Sequence, residues 1–294
     1  MSLTRFAPSP TGYLHLGHVV NAIYVWGTAR RAGARVLLRI EDHDRIRSRP
    51  EYERAILEDL DWLGFEADEG RSPVLRQSDR HAVYEQALSR LRRTHHVYAC
   101  DCSRKEARLR HTQVSLQPHP LEARVEEGRY DGHCRDRGLA ETPGRSLRVR
   151  IEPGVESFQD LCLGPVSQSP ADQCGDLLLR DRHGHWTYQF AATADDAEQG
   201  VDLIIRGNDL LESTGRQLRL AHMLGRSGMP KFLHHPLLMA ASGRKLSKSE
   251  GDASLRELRA AGVSPASVIG RAAVAGALAP DPRPVFARDV AGLF

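Results

Sequence analysis

Long apolar runs are missing from this 294-residue sequence, and no stretch approaches the roughly 18 residues that cross a bilayer. The opening residues, MSLTRFAPSP, also lack the apolar segment of a signal peptide. Both absences predict a cytoplasmic protein with no membrane partner. Hydrophobic residues still make up 40% of the chain and charged residues 27%, which is ordinary globular usage and argues against bulk disorder.

Cysteine is also scarce, because five cysteines in a chain of 294 residues are too few for a disulfide scaffold. Cys100 and Cys102 stand too close together in the sequence for a comfortable bridge. A metal ion explains this pair better than a disulfide does.

Lysine is the third scarcity: the 41 basic residues comprise 37 arginines and four lysines. The basic residues nearly cancel 38 acidic ones, so the net charge of +3 neither demands nor excludes nucleic acid. Two of the four lysines, Lys245 and Lys248, lie in the segment KLSKS. Lysine supplies a compact and mobile charge where arginine supplies a rigid fork, so this placement suggests a specific use of the ammonium group.

The start of the chain has the pattern of a βαβα unit. LTRFAP is typical of a short strand, residues 17–31 of a helix, VLLRIED of a strand buried on both faces, and residues 51–64 of a second helix. This order favours an α/β fold with a Rossmann-like, doubly wound parallel sheet. A further helix is predicted at residues 79–93.

The rest of the chain divides by composition. We expect residues 1–99 to form the first half of this domain and the polar residues 100–145 an insertion. Strand-like segments at SLRVRIE, GDLLLRD and VDLIIRG predict that the sheet resumes in a second half, residues 146–240. Residues 241–294 would hold the KLSKS loop and a short helical C-terminal segment (254–261 and 264–278), with a tail from Pro280 that wraps the surface. No surplus apolar stripe is evident, which predicts a monomer.

The segment PTGYLHLGH places His15 and His18 three residues apart at the start of the first helix, where they share a helix face. Backbone amides and the positive end of the helix suit a phosphate anion there, and Gly12 and Gly17 permit close approach of the backbone. The alternative is a pair of ordinary surface histidines.

KLSKS follows a Ser-Gly-Arg turn, so Lys245 or Lys248 could reach a triphosphate from a loop. Displacement at phosphorus depends mainly on positioning and charge neutralisation, so histidines on one side and lysines on the other form a plausible site. Taken alone, KLSKS could equally be a solvated basic loop.

Together, the two motifs resemble the HIGH and KMSKS signatures of the class I aminoacyl-tRNA synthetases. RFAPSPTGYLHLGH, LRIED, YQFA, IIRGNDLLEST and KLSKS extend the similarity to the glutamyl-tRNA synthetases over residues 5–250. This resemblance implies that ATP with Mg²⁺ and L-glutamate form glutamyl adenylate before transfer to tRNA. It assigns ATP binding to His15, Gly17, His18 and Lys248. It assigns catalysis at the α-phosphate to His15, His18 and Lys248, with Lys245 supporting the loop.

The glutamate site is expected at the carboxyl edge of the sheet, because Arg206 and Glu41 both end predicted strands. The resemblance implies that Arg206 and Arg5 pair with the two carboxylates, that Glu41 holds the ammonium group, and that Tyr188 adds a hydroxyl group. It also assigns Ala7 and Ser9 to this site. Ser9 and Asp42 are weaker candidates, since such residues often only bind the backbone. Ordinary ion pairing at strand ends is the alternative.

Only 45 residues follow Ser249, which leaves no room for the anticodon-binding domain of a full-length glutamyl-tRNA synthetase. The chain therefore resembles the shortened branch of that family, which activates glutamate without tRNA and places it on queuosine at the wobble position of tRNA(Asp). Asn208 agrees with this, because full-length relatives usually carry an acidic residue at the corresponding position.

The insertion contains a candidate metal site. Cys100 and Cys102 are followed by YDGHC with Cys134, and zinc accepts thiolates in a tetrahedral site that could fix a polar region. The resemblance implies one structural Zn²⁺ with Tyr130 as fourth ligand, although His133 is a rival. Three buried thiols without metal are the alternative, and Cys162 and Cys174 are expected to be ordinary thiols.

The sequence is also compatible with three other functions. The chain could be a glutamyl-tRNA(Glu) synthetase catalytic core lacking its anticodon-binding domain. It could be a small-molecule nucleotidyltransferase with an HxGH phosphate site, although this leaves Glu41, Tyr188 and Arg206 unexplained. A catalytically inactive tRNA-binding module is the third, against which HLGH and KLSKS both argue.

Overall fold

The protein is described here by a computed structural model that covers residues 2–114, 129–237 and 253–294, with the backbone alone at 111–114. Its strands are β1 (Leu3–Phe6), β2 (Arg35–Ile40), β3 (Leu75–Arg76), β4 (Val97–Cys100), β5 (Ser146–Val149), β6 (Glu156–Asp160), β7 (Gly164–Gln168), β8 (Leu177–Arg180), β9 (Leu203–Gly207) and β10 (Lys231–His235). Its α-helices are α1 (Leu16–Ala32), α2 (Pro50–Leu63), α3 (His81–Thr94), α4 (Arg104–Val114), α5 (Pro170–Gln173), α6 (Tyr188–Glu198), α7 (Leu211–Met223), α8 (Leu255–Ala260) and α9 (Pro265–Ala275). Within these ranges every helix is too short or too polar to cross a lipid bilayer.

The βαβα start is confirmed, and its strands run parallel. β1 pairs with β2 and β2 with β3, while β10 pairs with both β9 and β6 in the same parallel sense. β1 lies beside β9, where the backbone N–H of Asp202 donates to the carbonyl of Leu3 at 3.0 Å. The Asp202 carboxylate in turn accepts the N–H of Leu3 at 2.8 Å. These contacts join the N-terminal strands to those of the later half.

Two strands depart from the predicted sheet. We expected 146–149 and 177–180 to resume the parallel sheet, and this is wrong: β5 and β8 pair antiparallel, together with β4, in a separate three-stranded sheet. Burial alternates along β8, which is typical of an antiparallel sheet with one covered face. That face packs on α3 and α6 through Leu88 and Phe190. A hairpin of β6 and β7 also escaped prediction, because β6 (ESFQD) holds a single apolar residue, Phe158.

The C-terminal tail is part of the core, so the expectation that it wraps the surface is wrong. Val285, Ala287 and Val290 are buried against α1 and α9. A methyl group at Gly27 of α1 would collide with the ring of Phe294. After the last proline of the tail, residues 287–293 form a 3-10 helix whose Ala287 and Val290 pack inward.

The carboxyl ends of the parallel strands bring distant residues together. Arg5 is next to last on β1, Glu41 directly follows β2, and Arg206 is next to last on β9. His234 pairs in register with Arg206 on the adjoining strand β10. Ligands of open α/β sheets bind at this edge.

Candidate active site

Helix α1 begins at the two histidines. His15 is the residue that caps the helix, and its Nδ1 accepts the backbone N–H of Gly17 at 3.1 Å. The Nδ1 of His18 accepts the N–H of His15, also at 3.1 Å, and the ring centroids lie 4.1 Å apart. The structure therefore brings His15, Gly17 and His18 together, as the spacing predicts.

This arrangement fixes the proton of each neutral imidazole. Because each Nδ1 accepts a backbone N–H, the ring proton lies on Nε2. His15 and His18 therefore each carry an N–H donor at the positive end of a helix. Such a pair suits the oxygens of a phosphate group.

Lys245 and Lys248 lie outside the described residues. The chain that follows them returns to the histidine segment: the N–H of Leu255 donates to the carbonyl of Leu14 at 2.8 Å. The guanidinium of Arg256 donates to the hydroxyl of Tyr13 at 2.8 Å. The downstream end of the lysine segment is thus joined to the segment that carries His15.

A cavity of about 380 Å³ opens at the carboxyl edge of the sheet. All six residues that the sequence assigned to glutamate line it, namely Arg5, Ala7, Ser9, Glu41, Tyr188 and Arg206. Asn21 and His43 also line it and were not predicted. Asn21 lies three residues after His18 on α1, so helical spacing could have identified it.

The side of the cavity formed by β1 and β2 is a network of ion pairs. Arg39 is fully buried and lies 2.9 Å from Asp196, 3.0 Å from Glu41 and 3.7 Å from Asp195. The Nε of Arg5 lies 3.2 Å from the same Asp196 carboxylate. Burial by itself lowers the pKa of Arg39, but the three carboxylates outweigh it and raise the pKa above its ordinary value.

Arg5 and Arg39 also change the pKa of Asp196. Burial alone would raise its pKa, and the charges of Arg5 and Arg39 hold the pKa of this carboxyl below its usual range. Sequence reasoning missed Arg39, Asp195 and Asp196. A charged residue inside the apolar strand VLLRI was the available signal for Arg39, since such a residue must be paired when it is buried.

The side formed by β9 and β10 is different. Arg206 is buried, and it donates to neutral groups: His234 Nε2 at 3.1 Å, Gln217 Oε1 at 2.6 Å and Thr214 Oγ1 at 2.7 Å. Among residues 2–114, 129–237 and 253–294, no carboxylate lies within 4 Å of this guanidinium, and Asp196 acts on it only from farther away. Burial lowers the pKa of Arg206.

The remaining candidates have more local contacts. Ser9 donates to the backbone carbonyl of Glu41 at 2.9 Å, and so holds the loop that carries this carboxylate. Burial raises the pKa of Tyr188, which keeps its hydroxyl protonated as a donor at the cavity wall. Asp42 accepts the backbone N–H of Ser78 at 2.8 Å and does not line the cavity, so it serves the backbone.

Three cysteines converge beside the antiparallel sheet. The sulfur atoms of Cys100, Cys102 and Cys134 all lie within 4.8 Å of one another. The hydroxyl of Tyr130 lies 3.4 Å from Cys100 Sγ and 3.6 Å from Cys102 Sγ. Burial and the neighbouring sulfurs raise the pKa of Cys102 to about 11.

This donor set fits zinc. Ligands about 2.3 Å from a tetrahedral zinc ion lie about 3.8 Å from one another, close to the distances between these sulfur and oxygen atoms. Tyr130 is buried within the cluster, whereas His133 is exposed. The guanidinium groups of Arg110 and Arg137 donate to Cys102 Sγ at 2.9 Å and to Cys134 Sγ at 3.3 Å, which would offset the charge of bound thiolates.

The sequence profile of the tRNA synthetases class I (E and Q), catalytic domain, matches residues 2–289. The chain therefore belongs to this family of class I aminoacyl-tRNA synthetase catalytic domains, as its motifs predict. It is 40% identical to the Glutamyl-Q tRNA(Asp) synthetase of Symbiobacterium thermophilum over 99% of this chain and 91% of that protein.

Longer relatives are similar too. The chain is 40% identical to Glutamate--tRNA ligase 2 of a Methylobacterium species, over 93% of this chain and 60% of that protein. The crystal structure of a glutamate tRNA ligase from Elizabethkingia meningosepticum, in complex with its amino acid, superposes with a TM-score of 0.78 at 27% identity. That match covers all of this chain, which spans 64% of the solved one.

Proposed function

We propose that the protein activates L-glutamate with ATP and Mg²⁺ to form glutamyl adenylate, without tRNA, and then transfers the glutamyl group to queuosine at the wobble position of tRNA(Asp). The observation that carries the proposal is Arg206, a buried cation with no carboxylate in ion-pairing distance within the described residues. The relatives named Glutamyl-Q tRNA(Asp) synthetase support the choice of acceptor.

Charge balance favours glutamate over a neutral amino acid. On the β1–β2 side of the cavity three arginines pair with three carboxylates, so this side is close to neutral. The cations are Arg5, Arg39 and Arg80, and the anions are Asp195, Asp196 and Glu41. Arg206 leaves one positive charge, and L-glutamate carries one net negative charge. Its side-chain carboxylate would accept two parallel hydrogen bonds from Arg206, whereas glutamine would leave the guanidinium without a counter-charge.

The remaining groups have roles at the two ends of the substrate. Glu41 and the Tyr188 hydroxyl face the ammonium group, and Arg5 faces the α-carboxylate. An oxygen of that carboxylate attacks the α-phosphorus of ATP, and the bond from phosphorus to pyrophosphate breaks. The Nε2–H groups of His15 and His18 donate to the α-phosphate as its charge develops, and we assign the same task to Lys248 with Lys245 beside it.

Two measurements test this function. Exchange of labelled pyrophosphate into ATP should require glutamate and proceed without tRNA. Labelled glutamate should then enter tRNA(Asp) that contains queuosine and not the same tRNA without it. Strict dependence of the exchange on tRNA(Glu) would refute the proposal.

A second candidate is charging of tRNA(Glu), since a Glutamate--tRNA ligase 2 is equally identical to this chain. Esterification of glutamate to the terminal adenosine of tRNA(Glu) would decide for it. The two functions share the activation step, so only the acceptor assay separates them.

We also propose that residues 100–145 form an insertion between catalytic halves at 1–99 and 146–240, followed by a loop and helical segment at 241–294. One structural zinc ion would be held there by Cys100, Cys102, Tyr130 and Cys134. Bound metal would hold the polar insertion together locally, and would take no part in glutamate activation.

Zinc content and stability test this site together. Cys134→Ser should lose about one equivalent of zinc, measured by plasma mass spectrometry, and several degrees of melting temperature. His133→Ala is the matched control and should retain the metal. Equal zinc loss in both variants would make His133 a ligand and overturn the assignment of Tyr130.

A further inference from the structure

Arg206 is flanked by a row of buried polar groups at the ends of three neighbouring strands, β6, β10 and β9. Asp160 ends β6, and His234 pairs in register with Arg206. His234 Nδ1 lies 2.6 Å from Asp160 Oδ2, and His234 Nε2 lies 3.1 Å from Arg206 Nε. Asp160 and His234 are each 1% exposed and Arg206 is 4% exposed, so water does not compete for these bonds.

The neighbours of Asp160 fix the position of the histidine proton. Asp160 Oδ1 accepts the backbone N–H groups of Cys162 and Leu163, at 2.9 and 3.0 Å, and Oδ2 accepts the N–H of His234 at 3.1 Å. Both oxygens of Asp160 already accept backbone N–H groups, so Asp160 also acts as the acceptor towards His234, and the neutral ring carries its proton on Nδ1. Arginine can only donate, which makes Nε2 the acceptor that faces Arg206.

We propose that Asp160 and His234 are positioning residues for recognition of the glutamate side chain. Asp160 sets the proton on His234, and His234 in turn orients the Arg206 guanidinium towards the cavity. This inference rests on the proposed function. Thr214 and Gln217 supply the other two acceptors, so the guanidinium is held at Nε, Nη2 and Nη1 by groups that carry no charge.

The arrangement gives a reason for discrimination between glutamate and glutamine. A guanidinium held at a fixed angle can donate two parallel hydrogen bonds to a carboxylate, and this geometry is lost on a small rotation. The amide of glutamine offers one acceptor and a donor that arginine cannot accept. Neutral partners also leave the full charge of Arg206 for the ligand.

Asp160→Asn tests the contacts that link Asp160 to His234 and His234 to Arg206. The hairpin N–H groups of Cys162 and Leu163 require an acceptor, so the amide oxygen of the new residue takes their side and its NH₂ group faces His234. The ring must then accept at Nδ1 and carry its proton on Nε2, which points a donor at Arg206. We expect KM for glutamate to rise about 10- to 100-fold and KM for ATP to stay within about twofold, by analogy with other residues that orient ligand-binding groups.

A rescue variant separates positioning from general stability. In Asp160→Asn/His234→Gln, the side-chain carbonyl at 234 can accept from Arg206 whatever stands at 160. We therefore expect the double variant to bind glutamate several-fold better than Asp160→Asn alone. Ser157→Ala is the control on the same strand, since Ser157 is exposed and, in the described part of the chain, its hydroxyl bonds the hydroxyl of Ser167 across the hairpin. It should leave both KM values unchanged.

The proton position can also be measured directly. Nitrogen-15 NMR of the wild-type protein, with the His234 signals identified by their absence in His234→Gln, should show protonated Nδ1 and unprotonated Nε2. The opposite tautomer would overturn the inference even if Asp160→Asn failed to fold. So would an unchanged glutamate KM in a folded Asp160→Asn, or strictly additive losses in the double variant.

Failure of the proposed function has a different signature. A wild-type protein that shows no glutamate-dependent exchange refutes that function, whatever the tautomer of His234. A wild-type protein that activates glutamate while Asp160→Asn keeps the same preference for glutamate over glutamine refutes only the positioning role.

Discussion

Two buried arginines on opposite sides of one cavity have contrasting surroundings. Arg39, on β2, lies within 4 Å of the carboxylates of Asp195, Asp196 and Glu41. Arg206, on β9, has hydrogen bonds to His234, Thr214 and Gln217, which are all neutral. Both side chains are almost fully buried, where a charge without a counter-charge is costly.

The difference separates a structural cation from a ligand-binding one. The protein neutralises Arg39 by itself, and the ion pairs join β2 to α6. Arg206 is left with a charge that its own neighbours do not cancel, which costs stability and creates affinity for an anion. The stability and the substrate recognition of the cavity therefore reside on different strands.

The largest effect on stability is expected at Arg39. Arg39→Met removes the common partner of three buried carboxylates, and breaking such a network costs about 3–5 kcal/mol. The melting temperature should fall by about 10 °C. Arg31→Met, at an exposed position on α1, is the control and should change it by less than about 2 °C. A similar melting temperature for the two variants would mean that the ion pairs do not stabilise the fold.

Arg206→Met should affect activity more than stability, which is the opposite of the effect expected for Arg39→Met. Its stability should remain within about 1 kcal/mol of the wild type, because the loss of hydrogen bonds is offset by removal of a buried charge. The kcat/KM for glutamate in pyrophosphate exchange should fall about 100-fold, since a desolvated charge contact is worth about 2–5 kcal/mol. Destabilisation as large as that of Arg39→Met would erase the distinction between the two arginines.

The neutral state of His234 predicts a pH dependence of stability. Burial and the nearby Arg206 lower its pKa to about 4, from an unfolded value of 6.5. The unfolded chain therefore binds a proton first, and stability should be lost as the pH falls from about 6.5 towards 4. This difference in pKa corresponds to a change in stability of about 3 kcal/mol. Denaturant unfolding of wild type and His234→Gln at several pH values should show a weaker pH dependence in the variant.

A smaller effect on stability is expected at a buried carboxylate that has, in the part of the chain that the structure describes, no ion pair like those around Arg39. Asp59 of α2 is buried, and its Oδ2 has no hydrogen-bond partner among the described residues. Burial raises its pKa to about 6 although the charge of Arg259 lowers it, so its stabilising contribution exists at low pH and is lost as the pH rises through 6. Asp59→Asn should raise the melting temperature by about 3 °C at pH 8 and by little at pH 4. The same gain at both pH values would contradict this explanation.

Local motifs made part of the site predictable. His15 and His18 lie within one helical turn, and Arg206 and Glu41 stand at strand ends that any parallel sheet brings to one edge. The family resemblance added Arg5 and Tyr188, which no spacing would have selected. The order of the strands then decides which of these side chains lie close enough to form hydrogen bonds.

The other members of the network could not be read from the sequence. Asp160 and His234 are 74 positions apart and meet only because β6 pairs with β10. β6 itself was missed, since four of its five residues, ESFQD, are polar and Phe158 is its one apolar position. Helix α6, which carries Asp195 and Asp196, begins with a Thr187 cap that a search for helix starts could have found.

The capping contacts of α1 affect how its histidines can be studied. Replacement of His15 by alanine would remove the proposed phosphate donor together with a helix cap, and loss of a cap costs about 0.5–2 kcal/mol. Lower turnover in that variant would then have two causes, the loss of the phosphate donor and the fraying of the first turn of α1. Asparagine at position 15 preserves the cap without an imidazole, so the difference between the two substitutions isolates the part that belongs to catalysis.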